Sequence, residues 1–310
     1  MQYSHQPLTQ FRQAIQSGEF LVTAEVAPPK GTNPAHMIQM AELLKHRVHA
    51  VNITDGSRAV MRMSSLVSAL LLLERGIEPV YQVACRDRNA IGLQADLLGA
   101  HALGIRNVLA LTGDPVKAGD HPNARPVFDL ESVRLLQMIK KMNSGFDWTD
   151  HALTDGATDL CVGAAVDPQC PSWSGLKSRF NRKVAAGADF FQSQLISDFD
   201  RLEKFMVELG RPAGKPILAG IFLLKSAKNA RFINRAVPGV YIPDSIIDRL
   251  EQAANPLEEG ITIAAEQVKL AQQICQGVHL MAVKREDLIP QILDRAGIPA
   301  LTKPIAIARS

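Results

Sequence analysis

Aromatic side chains are scarce in this chain: 11 Phe, 3 Tyr and 2 Trp among 310 residues. So few rings argue against a stacking platform for single-stranded nucleic acid. An excess of one charge is lacking as well. The formal net charge is +3 and the Lys and Arg residues are scattered, so no electrostatic footprint for a phosphate backbone exists and no nucleic-acid partner is expected. Cysteines number four, at positions 85, 161, 170 and 275, with no C-x-x-C pair. Neither a zinc ribbon nor an iron–sulfur cluster is written in such spacing, and a reducing, cytoplasmic setting is the natural expectation. No apolar run reaches membrane-spanning length, and the opening "MQYSHQPLTQFRQAIQSGEF" has no apolar signal core, so neither a membrane association nor export is expected. A G-x-G-x-x-G fingerprint, a P-loop, a metal motif and a Ser/His/Asp order of hydrolase type are all missing.

What is present is a repeated alternation. Eight short, β-rich apolar runs begin at Phe20, Ala50, Glu78, Asn107, Leu160, Phe190, Pro216 and Gly277. Longer stretches with apolar residues near helical spacing separate them, among them "AHMIQMAELLKH", "NAIGLQADLLGAHALG" and "DLESVRLLQMIKKMN". Asn33 and Pro34 mark a helix start, Gly104 marks a stop, and Asn255-Pro256 splits the long segment before the last run into two helices. Eight βα units in about this length predict an α/β fold, the (β/α)8 TIM barrel. It is expected as a single domain over 1–310, with its core at about 20–290 and short terminal extensions.

In such a barrel the chemistry sits on the loops at the C-terminal ends of the strands. The fourth run, "VLALTGDP", ends on Asp114 at the strand tip. Glu25, late in the first run, Thr54 and Asp55 at the end of the second, Gln82 in the third and Gln194 in the sixth are expected at the same end. A strand-end acid taken alone is also what a helix cap or ion pair looks like. Convergence of polar residues from several strands is what favours a site. The cluster "CRDRN" at 85–89 reads either as a self-neutralising ion-pair loop or as an anion cradle. Arg182 and Lys183 read either as a solvated helix face or as a diphosphate clamp near the barrel mouth. His279 is expected to be a core-adjacent histidine, since no second His or Cys has ligand spacing to it.

The stretches "TAEVAPPKG", "AVNITDG", "RNVLALTGDP", "RKVAAGADFFQSQ" and "AGIFLL" fall in the order of the motifs of the methylenetetrahydrofolate reductase family, which the chain resembles from about Phe20 to Arg285. The resemblance implies a flavoprotein barrel carrying FAD across its mouth, with a reduced nicotinamide (NADH or NADPH) and a folate alternating on the exposed flavin face. By position, Glu25 is similar to the family's general acid, Asp114 to the carboxylate that stabilises a 5-iminium cation, and Gln194 to the side chain that hydrogen-bonds the pterin. Arg285 falls with these in the substrate set. The implied flavin contacts are Thr54, Gln82, Gly113, Asp114, Phe128, Asp129, Ala164, Arg182 and Lys183, the last two facing the diphosphate.

Three positions depart from the best-known bacterial members. Gln82 stands where those have a His, Thr112 where they have an Arg, and Ala227 where an aromatic ring lines the nicotinamide and folate pocket. These fall near the flavin and in the nicotinamide pocket, so they bear on which electron donor serves. Two alternatives stay open: a reductase subunit fed with electrons by a partner protein, and another pterin- or corrinoid-linked barrel methyltransferase. A homo-oligomer is compatible with all of them.

Overall fold

The computed structural model describes residues 8–237 and 239–301. Its eight strands are β1 (Leu21–Val26), β2 (Ala50–Ile53), β3 (Pro79–Ala84), β4 (Asn107–Leu111), β5 (Cys161–Val166), β6 (Phe190–Leu195), β7 (Ile217–Phe222) and β8 (Gly277–Met281). Every one lies on an apolar run of the sequence. They pair in parallel, in chain order, and β8 closes on β1, so the sheet is a closed barrel and the expected (β/α)8 architecture is observed.

The helices are α1 (Gln10–Ser17), α2 (Ala35–Leu44), α3 (Ser65–Leu73), α4 (Ala90–Ala102), α5 (Ser132–Asn143), α6 (Trp173–Ala185), α7 (Phe199–Phe205), α8 (Ala227–Ala236), α9 (Asp244–Gln252), α10 (Pro256–Ile274) and α11 (Ile289–Ala296). The unit between β7 and β8 is the decorated one, and its break falls at Asn255, whose side chain accepts from the Leu257 and Glu258 amides at the start of α10. Helix α2 begins one residue later than expected: Pro34 occupies the cap position, while Asn33 Oδ1 accepts from the Ala35 N–H at 3.0 Å. The short terminal extensions were expected outside about 20–290. Their described parts are α1 and α11, both packed on the barrel, and residues 1–7 and 302–310 lie outside the described residues.

Strand pleating sends alternate residues inward and outward. The outward set, including Ile53, Val83, Ala110, Val162 and Ala164, forms the large core between sheet and helices. The inward set begins, at the N-terminal end of the barrel, with an apolar floor of Leu21, Ala50, Val80, Leu109, Cys161, Phe190 and Leu218. Phe11 of α1 plugs this floor from below, its ring edge-on to Phe190 at 5.0 Å. Room for the Phe190 ring comes from Gly163, where a Cβ would stand 2.3 Å from a ring carbon. Glu78 locks the plug in place: its carboxylate accepts from the Phe11 N–H at 3.3 Å and from Asn107 Nδ2 at 2.6 Å. Above the floor the inward positions turn polar, with Thr23, Asn52, Gln82, Gln192 and His279 all buried.

Candidate active site

Glu25 is the next inward residue on β1 above Thr23, and its side chain is 24% exposed at the barrel mouth. The Nε2 atom of His279 lies 3.9 Å from Glu25 Oε2. Closure of β8 on β1 produces this approach, with Thr23 in register with His279. The expectation that His279 is a buried core histidine therefore holds, and its contact with the candidate acid is what sequence reasoning missed. Period-2 alternation carried the only available signal: Thr23, Asn52, Gln192 and His279 are polar residues set into strands that are otherwise apolar.

Asp114 stands exposed beyond β4, after Gly113, whose φ of +93° is a left-handed conformation that favours glycine. The Asp114 carboxylate is not idle, for its Oδ2 accepts from the Arg58 N–H at 2.7 Å. Arg58 and Ala59 are themselves left-handed, at φ 57° and 54°, a strained choice for residues with a Cβ. Asp120 reinforces the tie between these loops by accepting from the Met61 N–H at 2.9 Å and pairing with Lys30 at 2.5 Å. The Lys30 hydrogen bond leads the donors that hold the Asp120 carboxyl below the usual carboxylate range. Loops after β1, β2 and β4 are thereby joined over one side of the mouth.

Thr54 follows β2 and is 2% exposed, yet its hydroxyl oxygen has no hydrogen-bond partner. Unpaired buried hydroxyls are rare in folded proteins and mark a place where a polar ligand group or water fits. Gln82 lies buried on β3, and Gln194 is exposed on β6 where that strand's register with β7 shifts. Phe128 adopts φ 42°, and Asp129 beside it caps α4, accepting from the Ala90 N–H at 2.8 Å. Ala164 differs from the others, because its side chain belongs to the outward core and only its backbone remains for a ligand at this level.

Arg182 and Lys183 sit in the last turn of α6. A helix that follows a barrel strand returns toward the floor, so their backbone lies low; helical side chains lean toward the N-terminus, however, and these two climb. Arg182 reaches Glu131, the cap residue of α5, at 3.1 Å. The Lys183 ammonium donates to the Ala165 carbonyl at 2.6 Å. Burial, with help from Arg179 and Arg182, pushes the Lys183 pKa below the usual lysine range, and Glu131 opposes that shift. Arg182 and Lys183 are thus two cations set against the one carboxylate of Glu131, while Arg179 also acts on Asp167.

Other candidates carry contacts of their own within the chain. The cations of the "CRDRN" loop are neutralised by ion pairs, one inside the loop and two outside it: Arg86 chelates Asp87 at 2.6–3.1 Å, and Arg88 bridges Asp55 at 2.7 Å and Asp96 at 2.8 Å. Asp55 also accepts from the Ala84 N–H, which makes it a brace rather than a mouth acid. Arg285 is engaged by Asp287 two residues on, at 3.0 Å. Of the three departures, Thr112 caps α5 by accepting from the Ser132 N–H at 3.1 Å, and Ala227 opens α8 as a buried residue. Burial pushes the Cys85 and Cys275 thiols up to about 12, so neither is poised as a nucleophile. No helix among the described residues is long and apolar enough to cross a membrane.

Comparison with known proteins bears on the fold and the family. Among solved structures, an F420-dependent secondary alcohol dehydrogenase in complex with an F420-acetone adduct superposes with a TM-score of 0.53 at 11% identity, covering 90% of this chain and 99% of that one. An oxaloacetate acetylhydrolase gives 0.51 at 10% identity, over 92% and 84%. At those identities the likeness is one of fold alone. Sequence relatives are closer in kind. A Caenorhabditis elegans protein named probable methylenetetrahydrofolate reductase (NADPH) is 25% identical over 244 residues, 76% of this chain and 34% of its own length. Methylenetetrahydrofolate reductase 1 of Schizosaccharomyces pombe is 27% identical over 235 residues, 72% of this chain and 36% of that one. The chain thus spans about a third of the length of these curated relatives. The family model described as methylenetetrahydrofolate reductase matches residues 10–297, from the floor plug to the last helix, and this chain belongs to that family.

Proposed function

We propose that this chain reduces 5,10-methylenetetrahydrofolate to 5-methyltetrahydrofolate by a ping-pong reaction, with bound FAD and a reduced nicotinamide, NADH or NADPH, as donor. The observation that supports this reading most is the placement of Glu25: inward on β1, at the C-terminal mouth, buried on one side by His279 and open on the other. A carboxyl group so placed can deliver a proton to a substrate seated at the mouth. Glu25 protonates the bridged folate and so helps open its methylene bridge to the 5-iminium cation. Asp114, fixed by the Arg58 amide, presents a preorganised negative charge where that cation develops. Gln194, exposed at the mouth, hydrogen-bonds the pterin, and Arg285 contributes to folate binding.

The residues present suit a flavin. The unpartnered Thr54 hydroxyl, Gln82, the Gly113-Asp114 turn, Phe128, Asp129 and the Ala164 backbone would hold its ring and ribityl parts, and Arg182 and Lys183 its diphosphate. The chemistry the flavin supplies when bound is acceptance and donation of a hydride.

Anaerobic mixing of the FAD-loaded protein with NADH and with NADPH, followed by methylenetetrahydrofolate, separates the half-reactions. Flavin absorbance should bleach with at least one nicotinamide and return with the folate. In Glu25→Gln, bleaching should stay within about tenfold of the parent, while the return slows by about a hundredfold or more, the usual reach of general acid catalysis. Protein that binds no FAD overturns the reading. Bleaching by a partner protein alone would replace the nicotinamide with a protein donor.

A further inference from the structure

The polar layer under Glu25 has a direction. Gln192 Nε2 donates to Thr23 Oγ1 at 3.2 Å, so the Thr23 hydroxyl, already an acceptor, is free to send its own proton to His279 Nδ1, 3.0 Å away. Asn52 Nδ2, which can only donate, faces the same ring nitrogen at 3.2 Å. With the Asn52 amide group facing it, Nδ1 accepts, and a neutral imidazole whose Nδ1 accepts carries its hydrogen on Nε2. That Nε2 is the atom turned toward Glu25 Oε2, and among the described residues Glu25 is the acid recorded against this ring. At 3.9 Å the gap is wider than a hydrogen bond, as is common before substrate binds, and the partly exposed carboxylate has room to close it.

We propose that His279 is the positioning residue of Glu25: Thr23 and Asn52 lock its ring as the Nε2–H tautomer, and that N–H steadies the Glu25 carboxylate once its proton has passed to the folate. No proton leaves the imidazole in this scheme. The proton comes from Glu25 and goes to the substrate, and the histidine supplies a fixed donor to the anion left behind. A chain of donors running Gln192 to Thr23 to His279 to Glu25 connects strands β6, β1 and β8, so it exists only in the closed barrel. The proposal rests on Glu25 being the acid.

Two measurements on the full chain test it. Nitrogen-15 NMR of the histidine side chains should show His279 as the Nε2–H tautomer near neutral pH, and Thr23→Val should weaken that preference. An Nδ1–H tautomer or an imidazolium in the parent would overturn the proposal. In the folate half-reaction of pre-reduced protein, His279→Leu should be slower by about ten- to a hundredfold, the worth of a hydrogen bond to a charged group. His279→Gln, which can place an amide N–H near the Nε2 position, should recover most of that rate, which a merely structural loss would not do. Should His279→Leu fail to fold, the Gln and Thr23→Val variants carry the same comparison. In a Glu25→Gln background the His279→Leu change should add little further loss, because the two residues act as one unit. A loss in Glu25→Gln with none in His279→Leu overturns this proposal alone. Full folate turnover in Glu25→Gln overturns the acid assignment and this proposal with it.

Discussion

Two glutamates face into the same barrel from opposite ends. Glu78, at the floor, is 4% exposed and fully engaged, taking the Phe11 N–H and the Asn107 amide. Glu25, at the mouth, is 24% exposed, and His279 is its near neighbour at a distance longer than a hydrogen bond. The surroundings differ in the same sense. Around Glu78 the inward side chains are apolar and closely fitted, whereas around Glu25 the chain tolerates an unpaired Thr54 hydroxyl and left-handed backbone at Arg58, Ala59 and Phe128. Left-handed backbone at Arg58, Ala59 and Phe128 gathers in the loops over the mouth, while unmet hydrogen-bonding capacity occurs at both ends, Asn107 Oδ1 beside Glu78 being unpartnered as well. One residue type thus serves stability at one end and is available for chemistry at the other.

The comparison breaks most visibly at the plug. Phe11→Ala removes a fully buried ring and should cost about 3–5 kcal/mol in urea unfolding, while the folded protein keeps its flavin affinity. Loss of flavin binding without loss of stability would mean that the floor shapes the site directly. Asp114→Asn tests the mouth with the smallest change in form. The amide oxygen can still accept from Arg58, so stability by thermal melting should hardly move, yet reduction of methylenetetrahydrofolate should fall by about two to three powers of ten. A large drop in melting temperature with unchanged turnover would reverse the division of labour.

The mildest test asks whether Glu78 carries a pH dependence of its own. Burial outweighs its donors and pushes its carboxyl above the usual range in the folded chain. Folding therefore favours the protonated form. This group's contribution is fully present below its unfolded pKa of about 4.3 and is lost as the pH rises toward the folded value. Melting temperatures of the parent and of Glu78→Gln, measured from pH 4 to pH 7, should diverge, with the parent losing ground to the variant as pH rises. A constant difference would show the carboxyl to be unperturbed.

The strands were legible because each is an apolar run closed off by turn residues, and such a run needs no partner to be recognised. The mouth acids were legible in position for the same reason, since strand ends follow from strand limits. The plug was not. Helix α1 has eight residues with Phe11 and Ala14 buried, and nothing in eight residues says that they face the bore of a barrel. Arg182 and Lys183 read two ways, as a solvated helix face or as a clamp, because their route was hidden: they rise from the low end of α6 by the length and lean of their side chains. The "CRDRN" loop could be read two ways because its neutralising partners Asp55 and Asp96 lie 33 and 8 residues from Arg88.

The sequence by itself determined the number of βα units, the limits of the strands and which end of each would carry polar residues, because alternation and turn chemistry act over a few residues at a time. Only the tertiary structure decided that Glu25 has His279 for a neighbour. Thr23 and His279 are 256 positions apart and come within 3.0 Å because the sheet curls until its last strand pairs with its first. Closure is a property of all eight strands together, so no local pattern can contain it.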